Sequence, residues 1–372
     1  MQRLKVLAVQ DPAVSVYVDP AHDILGKFPE DIEVEFNIVS WDDYFKTMIE
    51  SFEGKADYDI VMIAGHLWLR DFVDKGYLAA INYDFEDILP VIAKEMQCDG
   101  RTYLSPSFCD GHMVVYRKSM LSKVLDKLPE EVISTDEFID IAQKLHMAGH
   151  DAPIALKANA SEILLDAVPF LRSQGKDVYA QSGSETTCNI GKMESEVEKY
   201  ISLRSLSPED TNTYGNDEIR DLLAGRKVAM ATTWSGQLGA VMKDCLEKED
   251  LGFTTFDTSW NVTWSFAITN MSRNKDKAEK LLKYLRSSEI DALAGECSGA
   301  PVRKVNYIEG IEKYPWYKVQ LRMIEEFAKP FVPVMKAGDK NGVLYEAIYS
   351  AFINEKSIKT ALKEAQIKVD SI

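Results

Sequence analysis

At 372 residues the chain is long enough for two domains with cores of their own, at about 100–200 residues each. Its 46% hydrophobic and 27% charged residues exclude wholesale disorder, and 43 basic against 59 acidic residues, a net charge of -16, exclude nucleic acid and anionic membrane surfaces as natural partners. No apolar run reaches the roughly 18–20 residues that cross a bilayer, since the longest, Ile60 to Leu69, is broken by Gly65 and His66.

Lys5 to Val9 reads as a short buried strand. Ile32, Val34, Phe36 and Ile38 alternate with polar residues, the period-2 pattern of a half-buried strand. Ser40-Trp41-Asp42-Asp43 opens a helix with Phe45, Met48, Ile49 and Phe52 on one face, ended by Gly54. Asp59 to Ala64 is a continuous apolar strand, suited to a sheet covered on both faces, and Leu67 to Lys75 is a helix ended by Gly76. This strand–helix alternation predicts a parallel α/β sheet.

The pattern returns further on. Strands are predicted at Met113 to Tyr116, Ile154 to Leu156, Val228 to Ala231 and Phe266 to Ile268. Ser134 and Glu137 form a capping box for a helix with Phe138, Ile141 and Leu145, and Asn216 caps one with Ile219, Leu222 and Leu223. Helices with Ala278, Leu281, Leu282 and Leu285, and with Ile358, Ala361, Leu362, Ala365 and Val369, complete the chain. The absence of a Pro/Gly-rich linker predicts two domains joined by more than one crossing.

Several chemistries are missing from the sequence. It holds no G-x-G-x-x-G, no phosphate-binding G-x-x-x-x-G-K-[ST], no H-E-x-x-H and no G-x-S-x-G. The five His and the five Cys (98, 109, 188, 245, 297) show no metal-ligand spacing, so no metal or cofactor is expected, and buried single thiols are. Asp210 to Asp221 half resembles a calcium loop, but Tyr214 stands where a short oxygen ligand is wanted, which favours a plain polar loop. The start, Met1 to Val9, is too short for a signal peptide, leaving a cytosolic protein or a processed exported one open.

Five blocks, in order, resemble the family 1 extracellular solute-binding proteins of ABC importers, the maltose-binding-protein-like class. They are Trp41-Asp42-Asp43-Tyr44 with Asp57 to Val61 and Gly76-Tyr77-Leu78; Asp99 to Pro106 with Val115 to Lys118; Gly225 to Met230 with Trp234; Ala267-Ile268 with Lys275 to Leu285 and Gly299 to Arg303; and Pro330 to Pro333 with Ser357 to Val369. The resemblance implies an α/β, two-lobed periplasmic-binding-protein-like fold with a hinge of several chain crossings. Lobe one would take 1–110 and 268–314, and lobe two 111–267 and 315–372. It also implies a monomeric, non-enzymatic receptor, extracellular or periplasmic and lipid-anchored in its precursor, that closes on a small solute in an inter-lobe cleft and docks on a membrane permease.

A sugar offers hydroxyls and an apolar C–H face, so its site needs carboxylates and aromatic rings. At strand ends such residues are Asp11, Trp41, His66, Asp110, Trp234, Trp260 and Trp264. By resemblance Asp110 matches a sugar-binding acid and Trp234 a stacking ring, while His66 stands where maltose-binding proteins carry an Asp. Each has a structural alternative: a turn acid for Asp11, a helix staple for Trp41, a polar loop residue for His66, a turn with Gly111 for Asp110, and core packing for the rings. Three of the six Trp fall between 234 and 264 beside small or polar residues, a context that suits a cleft better than a core. His112 is a further polar candidate. Two other readings remain open: a binding protein for a polyamine, iron complex or peptide, and a carbohydrate-active enzyme using Asp11 and Asp110 as a carboxylate pair.

Overall fold

The computed structural model describes residues 3–182, 185–298 and 300–372. Gly299, part of the fourth block above, lies outside the described residues. The chain divides into two compact units, the first running to Asp110 and resuming over Val262–Tyr317, the second comprising Gly111–Asn261 and Lys318–Ile372.

The first unit is built on a sheet in the order Glu33–Val39, Arg3–Val9, Ile60–Ala64 and Trp260–Ile268. The first three strands are parallel, in register from Arg3 opposite Glu33 to Val9 opposite Val39, and from Val6 opposite Ile60. The fourth runs antiparallel, with Trp264 opposite Ala64 and Ile268 opposite Ile60. Ile60–Ala64 is buried at every residue, as its continuous apolar run requires. Glu33–Val39 is the edge strand and is only half-buried; the Arg3 guanidinium spans Glu33 and Glu35 there at 3.0 and 2.9 Å, placing charge where an open edge would otherwise invite pairing.

Short loops lead from the strands into helices. Asp11 caps Pro12–Val18, its carboxylate accepting from the Ala13 N–H at 2.8 Å, with Pro12 at the first helical position where no N–H is needed. Trp41–Phe52 is fastened to the sheet through Tyr44, whose hydroxyl donates to the Met62 carbonyl at 2.5 Å and accepts from the Met62 N–H at 2.8 Å. The expected apolar face of this helix is only partly right: Tyr44, Met48 and Phe52 are buried, whereas Phe45 is exposed.

The strands of the second unit are arranged about one long strand. Leu104–Arg117 enters from the first unit and pairs antiparallel on one side with Met230–Trp234, which pairs parallel with Ile154–Ala155. On its other side lies Leu251–Phe256, followed by Val132–Ile133. Phe138, Phe170, Phe256, Tyr200 and Phe352 interlock as the core behind it. The Ser134 cap is as expected, its hydroxyl accepting from the Glu137 N–H at 3.1 Å. At the half-calcium loop, Tyr214 donates to Asp210 at 2.5 Å, and no group of metal ligands occurs among the described residues. No helix among the described residues is long and apolar enough to cross a membrane. Cys98, Cys109, Cys188 and Cys245 are buried and Cys297 is half-buried.

Candidate functional site

In the first unit, the C-terminal ends of the parallel strands lie in register, so the residues that follow them share one edge of the sheet, where open α/β sheets bind ligands. Asp11, Trp41 and His66 are placed there by three successive strands, and Trp264 by its pairing opposite Ala64. The sequence assigned Trp264 to the second lobe; it belongs to the first unit, because its strand starts at Trp260 and Val262–Ile268 already packs with this sheet.

The indoles form a cluster. Trp41 stacks on Trp68 with centroids 6.0 Å apart and planes 22° apart, and meets Trp264 edge-on at 5.9 Å. Trp68 also meets Trp264 at 6.1 Å, Phe45 at 5.5 Å and Tyr44 at 6.3 Å. Trp68 is the buried hub and Trp41, 49% exposed, presents ring surface to solvent. A half-exposed indole beside other rings offers an aromatic face to solvent.

The Asp11 and Asp110 carboxyls and the His66 imidazole are ionisable groups at this edge. Burial first, and the neighbouring charge of Asp110 second, push the Asp11 carboxyl up to about 7, against the opposing pull of the Ala13 N–H. Asp110 itself is buried, on the first unit's last residue before the chain passes into the second. Burial lowers His66 to about 4, so its imidazole is neutral at pH 7.

The second unit treats its two rings differently from the expectation of a cleft. Trp234 is 6% exposed, and one face is covered by the Lys157 ammonium 3.7 Å from the ring centroid. Its indole N–H donates to Glu162 at 2.9 Å, and Glu162 lies 3.4 Å from Lys157. Trp260 is 1% exposed, donates to the Leu165 carbonyl at 2.8 Å and packs edge-on against Trp234 at 5.0 Å. Small neighbours did not signal a cleft here: Ser259, Asn261, Ser235 and Gly236 are themselves buried and let the large rings pack. In this structure Trp260 is a core residue. His112 is core too, fully buried, bonded to Asp166 at 2.9 Å, with Tyr200 donating to the other Asp166 oxygen at 2.8 Å.

The structure thus joins Trp41 with Trp264, Asp11 with Asp110, and Trp234 with Trp260. Trp68, which follows the Ile60–Ala64 strand and reads in the sequence as packing on the next helix, is the hub of the first cluster. Sequence reasoning missed Lys157 and Glu162 altogether, which lie far from Trp234 in sequence.

The sequence model described as bacterial extracellular solute-binding protein matches residues 19–292. A curated relative from Sinorhizobium fredii (strain NBRC 101917 / NGR234), "Probable amino-acid ABC transporter periplasmic-binding protein y4oP", is 22% identical over 391 residues, covering 100% of this chain and 89% of that protein. The maltose-bound MalE3 of T. maritima is similar in structure, with TM-score 0.85, 20% identity and coverage of 100% of this chain and 99% of that one. A solute-binding protein of an ABC transporter from Thermotoga lettingae TMO, bound with alpha-D-tagatose, has TM-score 0.85 at 18% identity and the same coverage. At such identities the likeness shows the fold, an α/β architecture shared with periplasmic binding proteins.

Proposed function

The chain belongs to the bacterial extracellular solute-binding protein family, and from that premise we propose that it captures a small hydroxylated solute, a sugar or polyol, for an ABC importer. The family binds solutes and does not transform them, so no bond-making step is assigned to Asp11 and Asp110. The observation that carries the reading is the Trp41–Trp68–Trp264 cluster at the strand-end edge of the first unit, open to solvent through Trp41. An indole face complements the C–H face of a sugar ring, and Asp11 and Asp110 supply acceptors for hydroxyls. His66, neutral, adds one further donor or acceptor.

The structural neighbours support this reading, since one carries maltose and the other tagatose by their descriptions. The name of the S. fredii relative favours a second reading, an amino acid. The binding set proposed in the first unit is Asp11, Trp41, His66, Asp110 and Trp264. Closure of the two units on the solute is part of the proposal, because a ligand that binds one conformation better shifts the population toward it.

A thermal-shift screen tests it on protein refolded from denaturant to strip carried-over solute. At 100 times its dissociation constant, a true ligand stabilises the folded form by about 2.7 kcal/mol. A response confined to sugars or polyols is expected. A response confined to amino acids would replace the proposal by the second reading.

A further inference from the structure

We infer that Glu162 is a solute-binding residue of the second unit and that Trp234, expected from the sequence to stack on a sugar, is its positioning residue, aiming the Glu162 carboxylate through the indole N–H. The inference rests on the hydroxylated-solute reading above and adds to it a contact from the second unit.

The strands Ile154–Ala155 and Met230–Trp234 run parallel, with Met230 opposite Ile154 and Ala231 opposite Ala155. Their C-terminal ends lie side by side, the place where α/β strands lead into ligand-binding loops. The first strand continues into a turn in which the Glu162 and Ile163 N–H groups both donate to the Asn159 carbonyl, at 3.1 and 3.0 Å. That turn sets Glu162 immediately before the helix Ile163–Leu171. Glutamate is not a preferred residue at a helix start, and this one makes no capping hydrogen bond with its side chain. Its side chain goes to Trp234, whose Nε1–H donates to Oε2 at 2.9 Å.

The mount is rigid. Asp166, one turn into the helix, holds His112 at 2.9 Å and Tyr200 at 2.8 Å, and the Leu165 carbonyl accepts from the Trp260 indole at 2.8 Å. The Trp234 ring is fixed between Trp260 and the Lys157 ammonium. Lys157 is fully buried, donates to the Asn216 side-chain carbonyl at 2.6 Å and lies 3.4 Å from the same Oε2 of Glu162. Of these three linked side chains Glu162 is the most open, 23% exposed. The Trp234 and Lys157 contacts both fall on Oε2, which leaves Oε1 to accept from a solute.

A stability role alone explains this arrangement poorly. An indole N–H needs one acceptor, and a backbone carbonyl serves, as Leu165 does for Trp260. A half-buried carboxylate beside a buried ammonium carries a desolvation cost that a neutral pair avoids. A carboxylate held in place by an indole N–H and a lysine suits a solute hydroxyl, because it offers a charge-assisted hydrogen bond with little side-chain freedom left to lose. Trp234 then contributes to binding while its faces stay packed, as its burial requires.

Calorimetric titration with maltose, D-tagatose, glucose and mannitol identifies the probe on the parent protein and then tests the inference with it. Glu162→Gln keeps an acceptor for the Trp234 N–H, so the variant folds, which its melting curve verifies. It is expected to weaken binding about tenfold. Trp234→Phe keeps a ring against Lys157 but loses the N–H, and is expected to weaken binding about threefold or more. Made on Glu162→Gln, where the charge to be aimed is gone, Trp234→Phe is expected to change binding less than about twofold. A Glu162→Gln or Trp234→Phe protein that binds like the parent would overturn the inference and leave the hydroxylated-solute reading standing. So would a Trp234→Phe loss of the same factor with and without the Glu162 carboxylate, which would give the ring a solute contact of its own. If none of the four compounds binds the parent, the hydroxylated-solute reading falls and the inference with it.

Discussion

Replacing Trp234 by Ala separates a packed ring from an open stacking face. The indole is 6% exposed, stands between the Lys157 ammonium at 3.7 Å and the edges of Trp260 and His112 at 5.0 and 5.4 Å, and gives its N–H to Glu162. Truncating a buried Trp to Ala costs about 3–5 kcal/mol through lost burial and the cavity left behind. The variant also removes the ring that Lys157 lies against and the donor that Glu162 accepts, so the upper half of that range is expected. In a unit of about 200 residues, each kcal/mol moves the melting temperature by about 2–4 °C, so a fall of roughly 10 °C should appear in scanning calorimetry. Trp234→Phe keeps a ring against Lys157 and should lose much less. A double-mutant cycle with Lys157→Met isolates the cation–ring coupling, expected at about 0.5–2 kcal/mol. A Trp234→Ala protein that melts within about 2 °C of the parent would refute the packing argument and return the ring to the role of a free stacking surface.

Trp41→Ala should behave in the opposite way, weakening solute binding in calorimetry while moving the melting temperature little, because the ring is half exposed and leaves no closed cavity. Asp110→Ala should weaken binding about tenfold or more, since a hydrogen bond to a charged group contributes about 1.5–3 kcal/mol. Asp291 is 3% exposed and accepts from the Val302 and Arg303 N–H groups and the Asn306 amide at 2.9, 3.2 and 2.5 Å; burial nonetheless raises its carboxyl to about 6. The folded state then holds this proton more tightly than the unfolded chain. Its contribution to stability is full below about pH 4 and is lost as pH rises through about 6, a swing of about 3 kcal/mol that Asp291→Asn should flatten in urea titrations across that window.

What the sequence revealed depended on whether a residue's role was decided locally. The buried strand at Ile60–Ala64 was legible because an unbroken apolar run has few other homes, and the Ser134 cap because its acceptor and donor lie three residues apart. The long strand Leu104–Arg117 was legible only at Met113 to Tyr116. Asp110 and Gly111 at its middle read as a turn, yet the strand stays extended because distant groups pair with it: Tyr17 with the Ser107 hydroxyl at 2.7 Å, and Ser235 with the Gly111 N–H at 2.9 Å. Gly111 also has a packing reason, since a Cβ there would lie 2.2 Å from the Met323 methyl and 3.2 Å from the Trp260 carbonyl oxygen. At the candidate site, Asp11 and Trp41 could be placed from strand ends alone. The burial of Trp234 and Trp260 could not, because Lys157, Glu162 and Leu165 reach them from 72 or more residues away.

The interleaving of the two units in sequence sets an order on synthesis. The strand that completes the first sheet, Trp260–Ile268, pairs with Ile60–Ala64, so the whole stretch Gly111–Asn261 must be translated between the two partners. At about 5–20 residues per second, the early strands wait on the order of 10–30 s for that partner. During the wait the second unit also lacks Lys318–Ile372, so neither unit can close its core while the chain is being made. The Ile60–Ala64 edge, apolar along its length, is meanwhile open to pairing with any other nascent chain. Truncations at the boundary between the units would make that transient state permanent, so Met1–Asp110 expressed alone should be recovered as aggregate.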